Sequence, residues 1–159
     1  MSSELKLIPL ITDFNNKFQA VPGYFISYME GDIYKKKSNG EFKLIEGSVS
    51  DKGYIKTDLT SSLFESNNDR STQRVQTHRV CYLSHLFLHP DNIYKLKFAD
   101  IPEEDIKNTP RSVLEALVRR QQVNHIDHDK KNYNYNNLEL VNSKENQQAA
   151  KEFYNDKHI

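Results

Sequence analysis

The stretch from Gln122 to Val141 leaves this chain little choice of local structure. Gln122 to Ile126 reads as a short strand, and Leu138 to Val141 reads as a second. Between them, Asp127 to Asn136 (DHDKKNYNYN) is built from residue types that bend a backbone. Asn142 or Ser143 can then cap a helix, with Glu145 near its N-terminus and Ala149, Ala150 and Phe153 along it. A hairpin followed by a helix is therefore expected. The same segment holds the densest chemistry of the sequence: an imidazole, His125, among Asn124, Asn132, Asn137 and Asn146.

Composition narrows what surrounds it. Of 159 residues only 36% are hydrophobic, but eight Phe and nine Tyr can supply core area, so two modest modules are expected rather than one thick core. Cys81 is the sole cysteine, which excludes an internal disulfide and a CxxC zinc brace. Its setting, RVCYLSHLF, reads as a buried core thiol. No run is long and apolar enough to cross a bilayer. The start, MSSELKLIPL, lacks the basic region of a signal peptide, so a cytoplasmic protein without a membrane partner is expected. Lys and Arg number 22, as do Asp and Glu. A net charge of zero argues against a chain that coats DNA by charge alone, and leaves local clusters to be considered.

Along the chain, Leu5 to Ile11 is a short strand or an extended arm, broken by Pro9. From about Val21 to Leu59, alternating aromatic and polar residues with turn signals at Glu30-Gly31-Asp32 and Ser38-Asn39-Gly40 predict a small antiparallel sheet. Residues 60 to 73 are polar and read as a linker. Thr77 is placed to cap a helix through Val80, Leu83 and Leu86 that His89-Pro90 ends. Thr109-Pro110 is a second helix start, with Val113, Leu114, Leu117 and Val118 on one apolar face.

VNHIDHDKKNYNYNNLELV, followed by Asn146, resembles the nuclease motif of HNH endonucleases, particularly the small homing enzymes. THRVCYLSHLF is similar to the segment that precedes the active site in that family. GYFIS, GDIY and KGYIKTDL resemble the N-terminal DNA-associated module that often accompanies it. The resemblance implies an α+β fold: an N-terminal antiparallel sheet module over 1–60, then a nuclease domain over 74–159. That domain would carry a helical insertion near 90–122 and end in a ββα-metal element. It implies a metal-dependent DNA endonuclease acting on double-stranded DNA, as a monomer or a homodimer, in a bacterial or phage-infected cell.

Residue by residue, the resemblance makes His125 the general base and Asn137 the asparagine that ties the loop and orients that base. Asn124 and Asn146 fall at the positions that bind one divalent cation, Mg²⁺ or Mn²⁺. Asn132 and Asp127 brace the loop. A neutral imidazole suits proton abstraction from water, and a hard cation suits the charge on phosphate. Lys35, Lys36, Lys37, Arg74, His78, Arg79 and Lys131 are candidates for DNA contact. The sequence departs from the family pattern in three places. Asn stands at 124 where Asp is frequent, His128 where Gly is frequent, and Tyr133 where a second Asn is frequent. A restriction or defence nuclease, or a DNA-binding protein with a degenerate nuclease fold, remain alternatives.

Overall fold

The computed structural model describes residues 6–64, 71–98 and 101–141. The helix expected after Val141, and with it Asn146, lies outside the described residues. Three antiparallel sheets surround one short helix. Strands β1 (Leu7–Phe14), β2 (Lys17–Ser27), β3 (Ile33–Lys36) and β4 (Phe42–Ile45) form a meander in that order. Strands β5 (Ser48–Val49), β6 (Ile55–Thr60) and β7 (Thr72–Gln76) form a second sheet. Strands β8 (Gln122–His125) and β9 (Leu138–Val141) pair as a hairpin, with Asn124 opposite Glu139 and His125 opposite Leu138. No helix among the described residues is long and apolar enough to span a membrane.

Of the two readings of Leu5 to Ile11, a short strand or an extended arm, the structure shows the strand, extended to Phe14. Asn15 and Asn16 both take positive φ, 57° and 59°, and so turn β1 directly into β2. Asn tolerates this left-handed geometry better than most residues, and two such residues in succession suit a tight hairpin. Pro9 is accommodated where the β1–β2 register shifts, between Pro9 and Ile11. The polar linker ends earlier than expected, because Thr72–Gln76 pairs along the length of β6.

Helix α1 (Thr77–Leu86) is the centre of the molecule. Nine of its ten residues are buried, all but Arg79. Val80, Cys81, Leu83 and Leu86 meet Ile8, Leu10 and Ile26 of the first sheet and Val123 and Leu138 of the hairpin in one continuous core. The polar side chains that α1 buries are paired. Thr77 does not cap the helix. Gln76 occupies the cap position without a side-chain bond, and the Thr77 hydroxyl instead pairs with that of Thr57 at 2.8 Å. Ser84 donates to the Val80 carbonyl and accepts the Ile11 amide at 2.9 Å. His85 bonds the Tyr28 carbonyl. Cys81 is fully buried and its thiol is pushed up to about 12, chiefly by desolvation.

Between α1 and the hairpin run a 3₁₀ segment, Pro90–Lys95, the single-turn α2 (Glu103–Ile106) and α3 (Arg111–Arg120). Thr109 is not the cap of α3. Pro110 holds that position, and the Thr109 hydroxyl donates back to the Asp105 carbonyl at 2.8 Å. Leu114 and Val118 of α3 are fully buried, whereas Val113 is exposed. Arg79, the one helix residue of α1 that is not buried, bonds Asp13 at 3.0 Å and the carbonyls of Gln121 and Arg119 at 2.8 and 3.4 Å. One guanidinium thus joins β1, α1 and the end of α3 just ahead of β8.

The first sheet also reaches the hairpin loop. Tyr133 donates to Asp32 at 3.0 Å, and the Tyr135 amide donates to the Met29 carbonyl at 3.2 Å. Gly31 makes this approach possible. Its φ is +77°, and a Cβ there would lie 2.7 Å from the Tyr133 carbonyl oxygen and 3.1 Å from Cys81 Sγ. Gly40 has a similar φ of +90° but open space around it. Gly31→Ala should therefore lower the unfolding free energy by about 2–4 kcal/mol, and Gly40→Ala by only about 1 kcal/mol. Urea titration of the two variants checks this, and equal losses would mean that the loop contact contributes nothing.

Candidate active site

The loop between β8 and β9 is held by one asparagine. Asn137 is buried at the end of a 3₁₀ turn, Tyr135–Asn137. Its side-chain oxygen accepts the Asp127 amide at 3.1 Å. Its side-chain nitrogen donates to Asp127 Oδ1 and to the Asn132 carbonyl, both at 2.9 Å. Asp127 completes the lock, accepting the Asn132 side-chain amide and the Asp129 backbone amide at 2.9 and 2.8 Å. These donors hold the Asp127 carboxyl below the usual carboxylate range, the Asn132 bond contributing most. His128 takes a φ of 63°. That is the geometry glycine adopts most easily, which accounts physically for glycine being frequent there in similar motifs.

His125 follows directly in β8 and points inward. It is only 3% exposed, and Nε2 has no hydrogen-bond partner. Two rings lie in succession over it. The His78 ring is 4.4 Å from His125, and Tyr54 stacks on His78 at 5.3 Å with planes 19° apart. Lys130 closes the far side, its ammonium 4.5 Å from the Tyr54 ring centre and hydrogen-bonded to the Lys52 carbonyl at 2.6 Å. Desolvation keeps both imidazoles neutral. His78 is lowered to about 3 by burial and then by the neighbouring His125, and it hydrogen-bonds the backbone at Val123. His125 is lowered chiefly by burial, against the pull of Asp127 and Asp129.

Asn124 lies on the other side of β8. Its Nδ2 donates to Glu139 Oε1 at 3.1 Å, which leaves the amide oxygen for another partner. Glu139 was not among the residues singled out from sequence, yet a hairpin in this register sets it opposite Asn124. Among the described residues no three His, Cys, Asp or Glu side chains gather as a metal cluster. An amide oxygen beside a carboxylate fits a hard, oxygen-seeking cation better than zinc. Asn146, the second proposed ligand, lies outside the described residues.

The candidate DNA contacts divide into two kinds. Lys35, Lys36, Lys37 and Lys131 are exposed. Arg74 is 61% exposed and bonds Asp58 at 2.9 Å. His78 and Arg79 differ from the expectation, because both are committed inside the fold. His78 is 3% exposed beneath Tyr54, and the Arg79 guanidinium is spent on Asp13 and two carbonyls. Both instead border a cleft of about 500 Å³, between the β5–β6 turn and the start of β8, whose lining includes Lys52, Tyr54 and Lys56. Tyr54, Lys52 and Lys130 were not assigned to the site from sequence, since only the fold brings 52–54 beside 125 and 130.

Residues 117–148 match the family model of the HNH endonuclease. The resemblance read from the motif is therefore borne out over this segment, which takes in His125, Asn137 and their loop. No curated protein matches the chain. Among solved structures, "DNA binding and cleavage by the HNH homing endonuclease I-HmuI" aligns at 20% identity with a TM-score of 0.45. That alignment covers 80% of this chain and 51% of the other, so this chain spans about half of that one.

Two outcomes test the site's construction. Asn137→Ala removes three bonds and strands buried groups, and should cost about 3 kcal/mol in urea titration. The second concerns His78, whose folded-state value of about 3 lies below its ordinary 6.5. The stability tied to its neutral ring is fully present above about pH 6.5 and is lost as pH falls toward 3, where the unfolded chain binds the extra proton. His78→Phe, which keeps a ring in the stack, should flatten that acid loss in thermal melts taken across pH 3–7. An unchanged slope would show that the ring is not held neutral by the fold.

Proposed function

We propose that this chain is a metal-dependent DNA endonuclease of the HNH homing type. The observation that carries the reading is the coincidence of the family match with a locked hairpin presenting one neutral, unpartnered imidazole. A buried ring nitrogen without a partner costs about 1–3 kcal/mol, which favours a role in chemistry over a role in stability.

In this reading His125 Nε2 accepts the proton of the attacking water. Burial suits that task, because it keeps the ring unprotonated near neutral pH. Asn137 keeps the strand end and loop in register by holding Asp127 and Asn132. Asn124 and Asn146 would hold one Mg²⁺ or Mn²⁺, which when bound supplies offsetting charge for the phosphate and for the departing 3′ oxygen. Two amides bring no negative charge, so the cation binds weakly until a DNA phosphate joins it. Glu139 beside Asn124 supplies part of the missing field. Because His78, and Tyr54 beyond it, cover His125, the working state requires Nε2 to become accessible when DNA docks. Lys35, Lys36, Lys37 and Lys131 are placed on the surface to steer the duplex. One copy would nick, and a homodimer would cut both strands.

Plasmid cleavage with Mg²⁺ or Mn²⁺ tests the reading. His125→Ala should lose about 10²–10⁴-fold in rate while DNA affinity is kept. Wild-type binding without any cutting would favour a DNA-binding protein with a degenerate nuclease fold. Asn124→Asp should lower the cation concentration needed for half-maximal cleavage, since it adds an anionic oxygen. No change in that requirement would remove Asn124 from the metal site.

A further inference from the structure

The cleft beside the imidazole stack has no role in the site as described so far, and its lining points to one kind of occupant. It runs between the Ser50–Tyr54 turn, the start of β6, the end of β7 and the start of β8. Lys52 and Lys56 both border it, and neither has an ion-pair partner among the described residues. Arg79 also borders it, with its charge balanced by Asp13 at 3.0 Å. Asp51 is the one acidic residue of the lining. Two unbalanced ammonium groups against one carboxylate leave a single positive charge, which complements one phosphodiester.

A second, independent feature agrees with this. The Ser50 hydroxyl is buried at the cleft and has no hydrogen-bond partner. The turn carrying it is fixed by its own backbone, with the Ser50 amide bonded to the Tyr54 carbonyl at 2.8 Å and the Gly53 amide to the Ser50 carbonyl at 2.9 Å. A hydroxyl held this way without an acceptor is costly, and an anionic oxygen would satisfy it. The cleft is about 500 Å³, room for a sugar–phosphate unit and more than a lone ion needs. His78 also borders it, and its ring centre is 4.4 Å from that of His125.

We propose that this cleft binds the sugar–phosphate backbone of the DNA strand at a phosphate neighbouring the scissile one, through Lys52, Lys56 and the Ser50 hydroxyl. The inference rests on the nuclease reading and extends it. It assigns the second sheet a part in substrate binding, and it gives the strand a seat one ring away from the proposed base. Docking there also bears on the cover, because Lys52 and Tyr54 belong to the same turn. A strand drawn to Lys52 pulls on the segment that lies over His78.

The test is DNA binding by fluorescence anisotropy without metal, over a series of salt concentrations, on the full chain. Lys52→Gln/Lys56→Gln should weaken binding and lower the slope of log affinity against log salt by about 1–2, the value for one or two lost phosphate contacts. The Lys52→Arg/Lys56→Arg pair keeps the charges and should restore the slope, which separates charge from misfolding. Lys107→Gln, an exposed lysine of no assigned role, should leave it unchanged. If wild type binds DNA and the Gln pair shows the same slope, the cleft is not a phosphate seat although the nuclease reading stands. If wild type shows no salt-dependent binding, the nuclease reading itself fails and takes this inference with it.

Discussion

Helix α1 has nowhere to put its polar side chains except against its neighbours. With nine of its ten residues buried, each hydroxyl and ring must find a partner or carry a desolvation cost of about 1–3 kcal/mol. Those obligations knit the molecule together. Thr77 reaches β6, Ser84 reaches β1, and His85 reaches the Tyr28 carbonyl. His78 reaches the β8 backbone, and Arg79 ties the end of α3 to β1. An amphipathic helix would have docked on one surface. A helix buried on all sides fixes three sheets relative to one another, and with them the strand that carries His125.

The hairpin loop is stabilised by a different economy. It has almost no apolar side chain to bury, so its shape depends on polar groups satisfying one another. The Asn137 side chain both donates and accepts, which is why an amide serves there and a carboxylate would not. Facing the Asp127 carboxylate, an Asp at 137 would place two anions in hydrogen-bond range. The loop is then braced from outside by aromatic side chains of its own. Tyr133 bonds Asp32, and Tyr135 stacks on His85 at 3.7 Å with planes 4° apart. Tyr133 thus uses its departure from the family pattern to reach the first sheet.

Much of this was legible in the sequence because it depends on local signals. The β8–loop–β9 order follows from Asn-rich turn chemistry between two short apolar runs, and the β2–β4 meander from alternation and turn glycines. Asn15-Asn16 was also a local signal, a paired left-handed turn, which decides for the strand where Leu5–Ile11 alone left strand and arm open. Helix caps failed for a physical reason. Thr77 and Thr109 are good cappers in isolation, but each hydroxyl found a closer partner, Thr57 across the core and Asp105 one turn back. The aromatic cover of His125 was beyond any local reading. Tyr54 and His78 lie far from His125 along the chain, and neither flanks the motif.

That cover creates a tension between protection and chemistry that the fold resolves on one side of the ring only. Tyr54, His78 and Lys130 shield the imidazole and keep it neutral, the state a proton acceptor needs. The same shielding keeps water from Nε2, so the resting ring has neither solvent nor a protein partner. A buried ring nitrogen without a partner is costly to hold. The hairpin loop is tied to the Tyr54 turn by one ammonium over a tyrosine ring and one bond to the Lys52 carbonyl, both at the surface. Cation–π contacts at exposed sites contribute only about 0.5–1 kcal/mol. The strong interactions lie beneath, in α1 and the Asn137 lock, and they hold the ring's position.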